Sequence, residues 1–384
     1  MRELTLSVKK AFHFDYPIIG VIVILMVLNI LEFTPLMTEN KQLDYCVYKT
    51  LNFLRYVCIF LFLVYYFVWK PHKKFLWIFI VFIISDYLFK KLANTHLLFE
   101  LFFIPLCLSQ FVRREKLYKI LFISALLSLS AILIMYFVEI LQPDTFFRGE
   151  QIRYTLGFSH PNSLGFISFY IAVLLILCKE NFGLTSIFVL FGLALFNFTI
   201  PRSVTSAVLI LFLLFSMLLI KIDGIRRILD QKNTILCFMV IGFFITIIIA
   251  TYVVAFTEVG KDFLVNLPGS IWARFELGKV AFDRYGLSLF GTPIVNIFPD
   301  PDNNIFEYFV VDCAYFYFPI NYGLVFFISF LFLFSITIYM SIKLKEYKFL
   351  IVLISMMIYG TSEILIAVPI MMPVYSYIFC KSKD

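Results

Sequence analysis

Residues 234–256 read TILCFMVIGFFITIIIATYVVAF, an uncharged apolar run long enough to cross the hydrocarbon core of a bilayer as a helix. Its length and lack of alternation decide the fold class. A half-buried strand would show a two-residue period over a few positions, and a membrane barrel would repeat that alternation throughout the chain. Further runs lie on either side, at 17–37, 51–69, 75–90, 96–112, 118–141, 163–178, 184–200, 204–220 and 314–340. A last stretch, 349–380, is interrupted by Gly360-Thr361-Ser362-Glu363 and reads as two short helices. The reading is therefore all-α: one polytopic membrane helical bundle over 1–384, with about twelve transmembrane helices. Hydrophobic residues make up 62% of the chain and charged residues 15%, which fits that class.

Basic clusters recur after every second span. They are Arg2/Lys9/Lys10, Lys70/Lys73/Lys74, Arg113/Arg114/Lys116, Lys221/Arg226/Arg227/Lys232 and Lys343/Lys345/Lys348, continued by Lys381 and Lys383. The positive-inside rule puts them, and both termini, in the cytoplasm. The net charge of +7 is then mainly a topology signal. It does not point to nucleic acid, because the basic residues sit in short turns beside the membrane. The first apolar run is too long for a signal peptide and is expected to stay as a helix. Seven scattered cysteines and four histidines form no metal-ligand spacing, so no metal, cofactor or disulfide framework is implied.

This orientation leaves two substantial extracytoplasmic segments, 142–161 and 257–312, and long loops in a compact membrane protein are usually functional. The first carries Arg153-Tyr-Thr-Leu-Gly-Phe-Ser-His160-Pro-Asn-Ser-Leu-Gly165, with Arg153 and His160 where loop becomes helix. Asn162 is placed to cap that helix. The second carries an amphipathic segment with Arg274, Asp283 and Arg284, in which Ser270 is a candidate cap and Ile271, Phe275 and Phe282 share an apolar face. Arg202 sits in the outer turn between two spans. A guanidinium offers a planar fork of donors suited to phosphate oxygens, so Arg153, Arg274 and Arg202 are candidate diphosphate ligands. Asp312 lies at the outer mouth of a span. A carboxylate at the edge of a dehydrated cleft can serve as general base toward a hydroxyl.

Each of these residues also has a plainer reading. Outer arginines anchor at headgroups, His160 packs on Pro161, and Asp312 caps a helix. Arg284 and Asp283 satisfy each other or solvent, and Cys313 packs. Glu363, in the broken apolar run, is a candidate cavity residue.

Taken in order, Arg153-x6-His160-Pro161-Asn162-x2-Gly165, then Pro201-Arg202-Ser203, then a long loop bearing Arg274, then Asp312-x2-Tyr315-x7-Gly323 resembles the O-antigen and capsular polysaccharide polymerases, relatives of the O-antigen ligases. The resemblance covers about the last two-thirds of the chain. Ligases commonly carry His at the position of Asp312, which puts this sequence on the polymerase side. The Ile-Pro before Arg202 departs from relatives that often carry Ser there. The resemblance implies a glycosyltransferase of the bacterial cytoplasmic membrane. It would join undecaprenyl-diphosphate-linked oligosaccharide repeats on the outer face, with Asp312 as base and His160 orienting a phosphate or sugar hydroxyl. Arg153, Arg274 and Arg202 would hold the leaving diphosphate, with Asn162, Tyr315, Arg284 and Glu363 around the cavity. Implied partners are the lipid-linked oligosaccharide, the bilayer and a chain-length regulator. A ligase and a lipid-linked oligosaccharide flippase are the competing readings.

Overall fold

The computed structural model describes residues 15–36, 113–141, 145–148, 151–179, 181–265, 269–297 and 309–364, with scattered positions between 42 and 91. The described chain is predominantly helical. In order it runs α1 (Asp15–Leu31), α2 (Arg114–Phe137), β1 (Thr145–Arg148), β2 (Gln151–Tyr154), α3 (Pro161–Cys178), α4 (Leu184–Thr199) and α5 (Val204–Leu219). It continues with α6 (Asp223–Gln231), α7 (Asn233–Phe256), α8 (Glu258–Val265), α9 (Gly269–Tyr285), α10 (Ala314–Lys343) and α11 (Tyr347–Tyr359). Among the described residues, α2, α3, α7 and α10 are each long and apolar enough to cross a membrane. The bent pair α5 and α6 makes a fifth if counted as one span. This is the make-up of a membrane protein. The expected spans 51–69, 75–90 and 96–112 lie outside the described elements.

The chain divides into two compact units: among the named elements, α1 to α4, the hairpin and α5 as far as Leu214 belong to the first, and the chain from Phe215 through α11 to the second. In the first, α2 packs against α1 and α3, and α3 against α4. α3 is buried on all sides from Ser163 to Ile176, the expected setting for a helix apolar around its whole circumference. One approach there is very close. A Cβ on Gly165 would run into the Ser203 side chain, so the missing side chain lets α3 and the start of α5 touch.

The segment expected as an extracytoplasmic loop, 142–161, contains an antiparallel hairpin. Thr145 pairs with Tyr154, Phe146 with Arg153, Phe147 with Ile152 and Arg148 with Gln151, across a connection of only Gly149 and Glu150. Tyr154 N–H continues the pairing by donating to Ile200 C=O at 3.1 Å, which fastens the hairpin to the α4–α5 turn.

In the second unit, α7 packs on α8, α9, α10 and α11. α10 contains a single wider π-turn at Phe318–Tyr322. The segment after α9 docks on that turn. Thr292 N–H donates to Ile320 C=O at 2.7 Å, Ile294 N–H to Asn321 Oδ1 at 2.8 Å and Leu324 N–H to Ser288 C=O at 3.0 Å. Gly291 and Gly323 both have φ near +85 to +89°, and a Cβ on either would strike the other's backbone neighbourhood. Asn321 and Gly323 thus have structural uses that account for their presence at this break.

Candidate functional site

Helices α8 and α9 make up the greater part of the described residues of the 257–312 segment, and α9 carries Arg274 on its second turn. α9 begins at Gly269, so Ser270 lies inside its first turn instead of preceding it. Phe282 projects onto Phe256 of α7, with ring centroids 5.0 Å apart, and fixes α9 against that helix. Arg274 is then held between two carboxylates. Its Nη2 donates to Glu363 Oε1 at 2.9 Å, and its Nε lies 3.8 Å from Asp312 Oδ2. Glu363 is nearly enclosed at 8% side-chain exposure, while Asp312 retains 31% and reaches solvent. Arg274, Asp312 and Glu363 come from three separate segments, and the fold brings all three together.

One guanidinium thus faces two carboxylates. Burial pushes the Asp312 carboxyl above its ordinary range, and the Arg274 charge opposes that push. Arg274 has five N–H donors, and its single hydrogen bond among the described residues goes to Glu363. It therefore keeps donors for a second anion.

Asp312 does not cap the helix that follows it. Cys313 occupies the N-cap position and offers no side-chain bond. Burial pushes the Cys313 thiol up to about 12, which keeps it protonated and inert as a nucleophile. Tyr315 is fully buried and its hydroxyl donates to Met357 C=O at 2.6 Å, while its own carbonyl accepts from Tyr252 at 3.0 Å. Those contacts pin the start of α10 against α7 and α11. Arg284 stands over the Phe309 ring at 4.7 Å from its centroid, a cation–π contact near the surface.

The other candidates belong to the first unit. His160 is the N-cap of α3, and its Nδ1 accepts from Asn162 N–H at 3.1 Å. The cap expected from Asn162 is thus supplied by His160. The reason is local: Pro161 has no N–H, so the amide of Asn162 is the first that needs an acceptor. An accepting Nδ1 carries no proton, so the ring's N–H lies at Nε2 in this arrangement. Phe146 of β1 meets the ring edge-to-face at 5.2 Å.

Arg153 is buried at 7% exposure. Its Nε donates to Pro201 C=O at 2.8 Å and its Nη2 to Asn162 Oδ1 at 2.6 Å, tying β2, the α4–α5 turn and the start of α3 into one knot. Arg202 follows Pro201 in a left-handed backbone conformation, φ 48°, and is half-buried. No hydrogen bond or ion pair engages its guanidinium among the described residues.

Two features were absent from the sequence reading of the site: the β-hairpin, and the pairing of Glu363 with Arg274. The first had a signal in the two-residue Gly149-Glu150 connection between alternating segments. The second is a contact between residues far apart in sequence and had none. Among the described residues no group of His, Cys, Asp and Glu side chains could hold a metal ion. Compared with family models, with curated proteins and with solved structures, the chain matches none.

Proposed function

We propose that this chain is a polysaccharide polymerase of the bacterial cytoplasmic membrane, with about twelve spans, both termini cytoplasmic and the Arg274–Asp312 site on the outer side. It joins undecaprenyl-diphosphate-linked oligosaccharide repeats. The observation that carries the reading is the contact of Arg274 with the partly exposed Asp312, an anion-binding donor set beside a basic carboxylate. The ordered motifs that resemble the polymerase family support the same reading.

In the reaction, an acceptor sugar hydroxyl attacks the anomeric carbon of the donor glycan. The bond from that carbon to the carrier diphosphate breaks, and the diphosphate leaves with the electron pair. The hydroxyl proton passes to Asp312. A carboxyl raised above the ordinary range is the stronger base, which suits this role. Arg274 stabilises the charge that develops on the leaving diphosphate through its unused N–H groups. Glu363 fixes the guanidinium plane. Arg202, with no partner among the described residues, is assigned to a phosphate or headgroup oxygen in its own unit. Arg153 and His160 shape the entrance to α3, the first through its hydrogen bonds and the second as its cap.

One observation favours a second reading. An arginine set between two carboxylates is also a proton-carrying arrangement, as a proton-coupled flippase for lipid-linked oligosaccharide would need. Purified protein given a synthetic polyprenyl-diphosphate-linked repeat separates the two. A ladder of lengthening glycans supports the polymerase, and lipid translocation without a ladder supports the flippase.

A further inference from the structure

The short helix α6 is the one described helix with no buried residue. The chain turns by 90° as it passes from α5 into α6, and it enters the long apolar helix α7 immediately afterwards. α5 is a sixteen-residue apolar helix and α7 is of membrane length, so a helix set at 90° between them fits the plane of the bilayer surface. Its sequence is built for that plane. Ile225, Ile228 and Leu229, with Ile222 just before the helix, fall within one stripe at helical spacing, while Arg226 and Arg227 lie on the other side. Ile228 is 62% exposed and Ile222 53%, so the protein itself leaves much of that stripe uncovered.

The charges on α6, acidic and basic, share the face away from that stripe, with Asp230 lying between Arg226 and Arg227 around the helix. Asp230 is fastened to the turn before α11: its Oδ1 accepts from the Tyr347 hydroxyl at 2.7 Å and lies 3.5 Å from Lys345 Nζ. The Tyr347 hydrogen bond, aided by Lys345 and Arg226, holds the Asp230 carboxyl below its ordinary range. That contact consumes one carboxylate and fixes the rotation of the helix. What remains exposed is Arg226 and Arg227, flanked by Lys221 and Lys232, against Asp223. An apolar stripe with an arginine pair above it matches acyl chains below and phosphate headgroups at their level.

We propose that α6 is a lipid-binding device: its Ile222/Ile225/Ile228/Leu229 stripe inserts among acyl chains and its Arg226–Arg227 pair binds the headgroup phosphates of anionic phospholipids. The occupant is lipid and not protein, because the helix leads directly into the membrane-length α7 and, with Lys221 and Lys232 beside it, carries net charge complementary to an anionic leaflet. The inference is independent of which reaction the protein performs.

Native mass spectrometry of the full chain, after equilibration in equal phosphatidylglycerol and phosphatidylcholine, tests it. The wild-type protein is expected to retain phosphatidylglycerol preferentially. Arg226→Gln/Arg227→Gln should lower that preference about thirtyfold, from the usual contribution of two basic residues at an anionic surface. Arg113→Gln/Lys119→Gln, which removes two exposed basic residues elsewhere, should lower it far less. An absent preference in the wild type, or an equal loss in the two pairs, overturns the proposal. So does a change of oligomeric mass in Ile228→Ser with lipid retention unchanged, which would make the stripe a protein contact.

Discussion

Arg274 Nη2 stands 2.9 Å from Glu363 Oε1 while its Nε lies 3.8 Å from Asp312 Oδ2, so one guanidinium serves two unequal carboxylates. The enclosed Glu363 receives the hydrogen bond, and the more exposed Asp312 receives only the longer-range attraction. The short contact is the structural one, and the long contact leaves Asp312 partly exposed, as the base proposed above needs to be.

That asymmetry predicts different costs on removal. Arg274→Leu removes a hydrogen-bond donor from an enclosed carboxylate and should destabilise the second unit by about 1.5–3 kcal/mol, the usual worth of a hydrogen bond to a charged group. Arg274→Leu/Glu363→Leu should recover most of that loss. Denaturant unfolding in detergent of the two variants and the wild type reads the difference. Asp312→Asn should fall within about 1 kcal/mol of the wild type, as expected for a partly exposed partner.

If Asp312 is the base proposed above, its raised carboxyl should set the acid side of the pH profile. Its basic form is lost as pH falls through the raised value, so activity should decline at a higher pH than an ordinary carboxylate, near 3.8, would allow. Arg274 lowers the value against burial, so Arg274→Gln should move the acid limb upward while reducing the maximal rate. Stability runs the other way. A raised folded-state pKa contributes stability at low pH, and that contribution is lost as pH rises from the ordinary carboxylate range through the raised value. Rate and unfolding profiles on the same variants therefore bend in opposite directions.

The two arginines near the start of α3 should respond differently to lysine. Arg153 uses two separate nitrogens, on Pro201 C=O and Asn162 Oδ1, so Arg153→Lys keeps charge but cannot make both bonds in the same geometry. It should lose stability by about 1.5–3 kcal/mol. Arg202→Lys should leave stability unchanged and reduce turnover less than Arg202→Ala does. Unfolding and turnover measured side by side make the comparison.

The tight approach of α3 to the start of α5 predicts a steric failure. Gly165→Ala drives a methyl into Ser203 and should cost about 1–3 kcal/mol by overpacking. Ser203→Gly in the same chain should relieve part of that cost, as a thermal-shift series would show.

How much was legible follows from what kind of interaction each feature is. The runs at 118–141, 163–178 and 234–256 correspond closely to α2, α3 and α7, because membrane-length apolar helices are local in sequence. Tyr315 and Gly323 could be picked out as a spaced pair, yet their uses required tertiary contacts: a carbonyl on α11 for Tyr315, and the backbone at Gly291 for Gly323. The basic residues Arg226 and Arg227 read only as a topology signal. The stripe of Ile225, Ile228 and Leu229 that makes α6 amphipathic was present beside them. Asp312 and Arg274 were separate candidates, and nothing short of folding joins them through Glu363.

The most direct test is polymerisation by purified protein in liposomes, using a synthetic polyprenyl-diphosphate-linked repeat unit, with Arg274→Ala and Asp312→Asn run in parallel. The account predicts a ladder of glycans from the wild type, and loss of that ladder in both variants while Asp312→Asn stays folded. A ladder undiminished in Asp312→Asn would contradict its role as the base. With the native repeat unit, the absence of any ladder from folded wild-type protein would contradict the polymerase itself.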